Sequence, residues 1–292
     1  MEIQQLITFI HAAQQESFSI TAKQLGYSQA AITIQIQKLE DELQTQLFDR
    51  FSRKIKLTPS GKVFYNHALK ILNDISDAKS AMCNEVDIQG HLTIGTTDSV
   101  CSTIFPNLIE QYHALYPHVK ITIVTESIPE LESMLKKNEI DFAYLIDQEW
   151  TGKQWKKIIH TKEPVHFITS HTIQKTLPNP CTIHDLLTYP FLLTEKDASY
   201  RQLLDMTLAK ENVSIDPIIE TKNTDLLVKC IQKNMGITFL PQFIIEHVNV
   251  DQIPIQDFNV EVYRQVIVHS DKWISLEMKT FFEFLVSHQI SQ

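Results

Sequence analysis

The sequence predicts an α/β chain in three parts: an N-terminal unit made mostly of helices, one long helix, and a larger region of alternating strands and helices. Three observations carry this expectation. Apolar residues recur at helical spacing up to Leu43. No proline or glycine interrupts the stretch from Lys62 to Gln89. From Leu92 onward, short β-branched runs alternate with helix-like segments. A length of 292 residues allows about two domains at roughly 150 residues each.

Composition removes several function classes before any motif is read. Hydrophobic residues make up 43% and charged residues 21%, a globular balance rather than a disordered one. No apolar run approaches the roughly 18 residues of a membrane helix. The opening Met1-Glu2-Ile3-Gln4-Gln5 lacks the basic and apolar regions of a signal peptide, so the expected location is the cytoplasm. Cys83, Cys101, Cys181 and Cys230 are scattered, with no C-x-x-C pair to suggest a disulfide framework or a zinc knuckle. The histidines form no H-E-x-x-H, and there is no G-x-S-x-G. Gly90 and Gly95 have the outer spacing of a phosphate loop, but Thr96 stands where its lysine belongs. No catalytic residue, metal site or cofactor is therefore expected.

In the N-terminal unit, Leu6, Phe9, Ile10 and Ala13 share a helical face with Ile3, so the first helix runs to about Glu16. Ser19 is the expected N-cap of a short second helix carrying Ala22 and Leu25, which Gly26 stops. Ser28 caps a third helix with the stripe Ile32, Ile36, Leu39 and Leu43. A short helix, a tight turn and a second helix with its own inward stripe make a helix-turn-helix. Ala30, Thr33, Ile34, Gln37 and Lys38 point away from the stripe. On a recognition helix, Ile34 would meet a thymine methyl, Thr33 and Gln29 base edges, and Lys38 a phosphate. Otherwise Ile34 is ordinary exposed apolar surface or a dimer contact.

The net charge of −9 argues against a nonspecific polyanion binder, but the charge is unevenly spread. Arg50, Arg53, Lys54, Lys56 and Lys62 follow one another with no acid among them. On charge alone a solvated hairpin is the simpler account. Leu47–Arg50 and Ile55–Thr58 nevertheless read as two short strands around a basic tip at Ser52-Arg53-Lys54. That is a wing placed to press on the phosphate backbone or the minor groove. The candidate DNA-contacting residues are Ser28, Gln29, Ala30, Thr33, Ile34, Gln37, Lys38, Arg50, Arg53 and Lys54.

The run Phe18-Ser19, Leu25 through Thr33, Ile36-Gln37-Lys38-Leu39-Glu40, Leu43, Leu47-Phe48-Asp49-Arg50 and Leu57-Thr58-Pro59-Ser60-Gly61 resembles the winged helix-turn-helix of LysR-type transcriptional regulators. The spacing agrees over some sixty residues. The departures are Ala30 for the family's usual proline, Thr33 for serine, Ile34 for a frequent arginine and Gln44 for a frequent glycine. These departures bear on which bases are read, and one common basic contact is missing.

Thr58-Pro59 starts the long helix as an N-cap followed by proline at the first helical position. Phe64, Ala68, Ile71, Ile75, Ala78 and Met82 recur at alternating steps of four and three, a coiled-coil seam. The stripe is narrow, which favours pairing with a second chain over packing on its own domain. It resembles the family's dimer-forming linker helix. A dimer presents two recognition helices, so the DNA site should be an inverted repeat. Family resemblance further implies homotetramers.

In the remainder, Leu92–Thr96, Val119–Val124 and Ile140–Ile146 read as strands, with helices at Thr103–Tyr116 and Pro129–Asn138, giving a mainly parallel sheet. A second set follows, with strands at Pro164–Thr169, Phe191–Thr194, Ile215–Thr221 and Ile237–Leu240. Its helices lie near Thr182–Leu187, Tyr200–Lys210 and Thr224–Asn234. A strand near Tyr263–His269 and a helix near Ile274–His288 close the chain. Phe105-Pro106-Asn107-Leu108, Tyr116-Pro117, Glu139-Ile140-Asp141-Phe142-Ala143 and Asn234 through Pro241 resemble the family's effector domain. That resemblance implies the fold of type 2 periplasmic binding proteins: two α/β subdomains and a ligand cleft between them. The expected domains are a winged helix-turn-helix over 1–58, a linker helix over 59–89 and an effector domain over 90–292. Its first subdomain is 90–162 plus 264–292, and its second is 163–263.

Thr97, Asp98 and Ser99 follow the first strand and precede a helix, where N–H groups collect and hydroxyls can orient a small polar ligand. The family's use of hydroxyls here and after the second strand also points to Ser127. Tyr200, Arg201, Asn223 and Thr224 sit at expected strand-to-helix junctions, Thr238 lies on a strand of the second half, and Cys101 lies just beyond the first loop. Each is otherwise a cap or loop residue, and for Asp98 the cap is the simpler account. A helix start favours an anionic ligand and Asp98 repels one, unless Arg201 points inward to offset it. One branch of the family senses oxidants through a cysteine pair, but Cys181 and Cys230 match no such arrangement, and inert buried thiols are expected.

The function expected is thus a sequence-specific DNA-binding transcriptional regulator, activator or repressor, controlled by a small-molecule effector. Alternatives are a regulator with a vestigial cleft controlled by a protein partner, or a small-molecule enzyme with a helical appendage. The latter lacks any nucleophile–base pair or metal set.

Overall fold

The computed structural model describes residues 1–49, 55–82, 88–256 and 258–289. The expected wing-tip contacts Arg50, Arg53 and Lys54 lie outside them, as does Cys83.

Three helices open the chain: α1 (Ile3–Gln15), α2 (Phe18–Leu25) and α3 (Gln29–Leu43). Leu6, Phe9 and Ile10 of α1 meet Ile32, Ile36 and Leu39 of α3 in one dry cluster. Burying each such side chain contributes about 1.5–3 kcal/mol. Ser17, not Ser19, caps α2: its hydroxyl accepts from the Ile20 N–H at 3.4 Å. Starting the helix early places Phe18 edge-on against Phe48, with ring centroids 5.4 Å apart. Ser19 instead donates to Gln29 Oε1 at 3.1 Å, tying α2 to α3. Gly26 ends α2 at φ 71°, a left-handed conformation that side chains resist.

The wing strands β1 (Phe48–Asp49) and β2 (Lys56–Leu57) pair antiparallel. Buried Glu40 of α3 holds them, accepting from the Leu47 and Phe48 N–H groups at 2.8 and 3.1 Å. Thr58 then joins wing to linker: it donates to Gln46 O at 2.7 Å and accepts from Gly61 N at 2.9 Å. Gly61 has no alternative, since a Cβ there would lie 2.1 Å from Leu47 O.

The linker helix α4 (Pro59–Met82) departs from the expected seam. Ala68 is 0% exposed, and Phe64 packs its ring 5.1 Å from Phe9 of the same chain. Both serve the N-terminal core, which α1–α3 leave open on the Phe9 side, so neither is free for a second chain. Ile71 and Ile75 are half-buried against that core and Ala78 is exposed, while the side chain of Met82 is outside the description.

The larger region begins with β3 (Gly90–Thr96), α5 (Asp98–Thr103), α6 (Phe105–Leu115), β4 (Val119–Thr125), α7 (Ile128–Lys136), β5 (Phe142–Asp147) and β6 (Trp155–Lys162). The second half holds β7 (Val165–Thr169), α8 (His171–Gln174), α9 (Ile183–Leu186), β8 (Leu192–Leu193), α10 (Ser199–Lys210), β9 (Ile219–Glu220), α11 (Thr224–Gln232), β10 (Ile237–Pro241), α12 (Gln242–Ile245) and β11 (Asp251–Ile253). The chain ends with β12 (Tyr263–His269) and α13 (Leu276–Gln289). The first sheet runs β4-β3-β5-β12-β6. Its β3 is parallel to β4 and β5, but β12 runs antiparallel to both β5 and β6, so the sheet is mixed rather than mainly parallel. The second half repeats the plan: β8 and β9 are parallel, Phe191 bridges in parallel to Ile237 of β10, and β7 runs antiparallel to β10 and β11. Four more departures have local causes. The expected helix over 103–116 begins only at Phe105 as α6, with Pro106 in its first turn, and a short helix α5 that was not expected precedes it. The expected strand over 215–221 shrinks to β9. The edge strand β6 escaped notice because its exposed side is lysine and histidine rather than apolar, and β11 is only three residues long.

Chain crossings join the halves between β6 and β7 and on the return into β12. Buried Glu163 sits at the first and pairs with Arg264 of β12 at 2.8 Å. Its other carboxylate oxygen accepts from the Phe243 N–H at 3.1 Å, and its own N–H donates to Val262 O at 2.9 Å.

The winged unit also leans on the first half. Gln14 Nε2 and the Tyr65 hydroxyl both donate to Asp271 O, at 3.0 and 2.9 Å. Gln15 donates to Lys137 O at 2.9 Å, and Trp273 packs against the N-terminal core. His11 is caught at this contact. Burial, then the Lys272 ammonium, lowers its pKa from 6.5 to about 4.

Two predictions follow from these contacts. Glu163→Ala leaves Arg264 unpaired and the Phe243 N–H orphaned, and should cost about 3–5 kcal/mol in urea unfolding; Glu163→Gln, which keeps one of the two acceptor oxygens and the side-chain volume, should cost less. His11 stays neutral in the folded chain while the unfolded chain takes up a proton below pH 6.5. Its contribution of about 3 kcal/mol is therefore complete above pH 6.5 and lost as the pH falls toward 4. The Tm of His11→Gln should accordingly fall less steeply than that of the wild type across this interval.

Candidate functional site

Two regions gather the functional candidates. On the winged unit, α3 presents Gln29, Ala30, Ile34, Gln37 and Lys38 to solvent, with Thr33 half-exposed among them. Ser28 is spent as the cap, accepting from the Ala31 N–H at 3.2 Å. Thr33 turns its hydroxyl back to Gln29 O at 2.9 Å. Ile34 is 53% exposed. Ile20 and Tyr27 are large exposed apolar side chains on the same helix-turn-helix, and the sequence reading did not single them out. They fall outside the α3 register, so the helical wheel that found Ile34 could not find them.

The second region is a cavity of about 180 Å³ between the two halves. The ends of β3, β4, β5, β8 and β9 lead into it, as sheets of this kind place their binding crevices. Thr97, Asp98, Ser99, Ser127 and Tyr200 line it together. Ser199 at the start of α10 donates to Ile146 O of β5 at 2.9 Å, a direct bond across the halves at the cavity wall. Ser127 caps α7 in a reciprocal box with Glu130, its N–H and hydroxyl both donating to Glu130 Oε2, at 3.3 and 2.5 Å.

Other candidates lie elsewhere. Asn223, Thr224 and Cys101 border an adjoining depression beside Asp98 and Lys222. Asn223 is occupied as the cap of α11. Burial, then the nearby Asp98, raises the Cys101 thiol, which keeps it protonated and inert. Thr238 is fully buried in β10, its hydroxyl without a partner, away from the cavity wall.

Arg201 corrects the idea of an inward cation. It is 2% exposed, its Nε donates to both Asp205 carboxylate oxygens, and its Nη1 donates to Thr194 O at 2.8 Å. The helical spacing from Arg201 to Asp205 draws it along α10, away from the cavity.

The cavity wall also carries Thr125, Glu126, Glu130, Thr194, Glu195, Asp197 and Lys222, which the sequence reading missed. Most of them follow strand ends. Reading strand ends rather than helix starts would have found Thr194–Asp197, since five residues separate the end of β8 at Leu193 from the start of α10 at Ser199.

Comparison with known proteins bears on both regions. Residues 3–62 match the family model described as a bacterial regulatory helix-turn-helix protein of the lysR family, and residues 87–289 match the LysR substrate binding domain. The chain is 29% identical over 292 residues to the uncharacterised HTH-type transcriptional regulator YwqM of Bacillus subtilis (strain 168), covering 97% of this chain and 98% of that protein. It is 31% identical over 246 residues to the HTH-type transcriptional regulator GltR of the same organism, covering 84% and 81%. Among solved structures, full-length BenM aligns with a TM-score of 0.58 at 21% identity, covering 100% of this chain and 97% of that one. Full-length CbnR in complex with its target DNA aligns with a TM-score of 0.54 at 19% identity, covering 98% and 99%. At those identities the two structures speak for the fold. Family models that together span nearly the whole chain settle the rest: the protein belongs to the LysR family of helix-turn-helix transcriptional regulators, with a substrate-binding domain of the kind that holds their small-molecule effectors, and is not an enzyme.

Proposed function

We propose that α3 reads base edges in the major groove through Gln29, Thr33, Ile34 and Gln37, while Lys38 and the wing residues Arg50, Arg53 and Lys54 hold phosphates. The observation that carries this is Ile34, 53% exposed on α3. It makes a small apolar face suited to a thymine methyl, on a helix whose remaining outward groups are mostly polar. In this reading residues 1–58 bind DNA and 90–292 bind the effector. The linker over 59–89 pairs two chains through the part of α4 beyond Ile75, the last of its residues packed against the N-terminal core. A dimer then meets an inverted repeat, and dimers associate further into tetramers. A cytoplasmic location fits a DNA-bound regulator, and no described helix is long and apolar enough to cross a membrane.

The effector lies between the halves, against Thr97, Ser99, Ser127 and Tyr200. A ligand there alters the relative energy of two closures of the cleft, and so biases how the winged units are presented. The contacts of Gln14, Gln15, Tyr65 and Trp273 with the first half offer a direct mechanical route.

Binding of the full-length protein to its promoter, measured across a salt series, tests the DNA assignment. Lys38→Ala should reduce the salt slope by about one and weaken all sequences alike. Thr33→Ala should cost about 1 kcal/mol at one base pair and relax preference there. Unchanged strength and unchanged slope in both variants and in the Arg53→Ala/Lys54→Ala double variant would refute it.

A further inference from the structure

The interdomain cavity has a charge balance that identifies the class of its ligand. Asp98, Glu126, Glu130, Glu195 and Asp197 line it, against a single cation, Lys222. Arg201, in the first turn of α10, is turned away and neutralised. Helices α5, α7 and α10 begin at the wall, and open helix starts would draw an anion. Those of α5 and α7 are not open, and that of α10, which has no side-chain cap, closely follows the acidic residues Glu195 and Asp197. Glu130 closes that of α7, and Asp98 occupies the first turn of α5. An incoming carboxylate would meet carboxylates already in place.

Two further observations point to a positive ligand. The Glu126 carboxyl lies within hydrogen-bonding reach of Glu130, a like-charge contact on which the Lys222 ammonium is the weakest influence. The chain's own ammonium also shows what the field favours. Lys222 Nζ lies 3.6 Å from Glu195, and Glu195, then Asp197, raise its pKa above the usual lysine value. Apolar surface is present too, in Ile128, Ile146 and the buried Tyr200. A volume of about 180 Å³ slightly exceeds the roughly 150 Å³ that admits a benzene ring, so the ligand is small. A bare metal ion fits poorly, because no three histidine, cysteine or acidic groups among the described residues converge to hold one.

Resting on the reading that this cleft is the effector site, we propose that its ligand is a small organic cation. It is an alkyl or aryl amine or guanidine with no net negative charge, with its cationic group among the carboxylates and its carbon frame on Ile128, Ile146 and Tyr200.

The test measures the Tm of the full-length chain with 1,4-diaminobutane, agmatine and benzylamine. Succinate and benzoate serve as matched anions, and magnesium chloride as the metal alone. Each probe is repeated on Glu126→Gln/Glu195→Gln and on Ser99→Ala. The double variant's own Tm reports whether it folds; it should equal or exceed the wild-type value, because crowded carboxylates have been neutralised. At least one amine at 10 mM should raise the wild-type Tm by about 3 °C, and the rise should vanish in the double variant. The carboxylates should leave the Tm unchanged. A rise with a carboxylate that Ser99→Ala abolishes would overturn the cation and keep the cleft as the effector site. An amine rise unaltered in every cleft variant would overturn both. A rise with magnesium alone, or no rise with any amine, would also overturn the proposal.

Discussion

The two halves of the larger region can act as a cleft only because the chain passes between them in a fixed geometry, and buried Glu163 sets that geometry. One carboxylate takes the Arg264 guanidinium from the return strand and the Phe243 N–H from the second half. A lone carboxylate so buried is costly, and each partner offsets part of that cost. The first sheet takes its antiparallel strand β12 from beyond the second half, so it is complete only after the chain has returned, whereas the second sheet is built from the second half alone.

The N-terminal unit uses the same device on a smaller scale. A buried glutamate, Glu40, accepts two N–H groups of the first wing strand and so fixes the wing against the helix that carries the outward face. Thr58 and Gly61 then pass that position on to the linker through Gln46 and Leu47. A shift of the linker is thereby a shift of the wing. Because the linker's first turns complete the N-terminal core, the winged unit and helix α4 form one packed body up to Leu72. The polar bonds to Asp271 and Lys137 join that body to the first half of the larger region. They involve few groups and neutral hydrogen bonds, each worth about 1 kcal/mol net, so the contact is one a modest bias can open or close.

Much of this was legible in the sequence, for a physical reason. Helices that bury one stripe against a neighbour must repeat apolar residues at their period, so α1 and α3 announced themselves through Leu6, Phe9, Ile10 and Ile32, Ile36, Leu39. The loops after β3 and β4 were found because strand ends, turn residues and helix starts fall together there, which brought Thr97, Asp98, Ser99 and Ser127 to one cavity. The family relation was legible for a similar reason: a packed unit tolerates few changes in spacing.

What tertiary structure alone decided are the matters of direction and partner. Phe64 and Ala68 carry a coiled-coil period, and only packing showed that the chain's own Phe9 takes that side of the helix. Arg201 stands at a helix start beside the cleft, yet Asp205 one turn on and Thr194 O draw it inward to the domain. Strand β6 has no apolar alternation to betray it, because its place at a sheet edge asks for little burial. The acidic wall is assembled from residues some 100 positions apart, such as Asp98 and Asp197, and no local pattern records it. Sequence alone determined which segments form elements and which faces are apolar, since those depend on near neighbours in the chain. Which group meets which across the fold depends on distant neighbours, and that the folded chain alone decides.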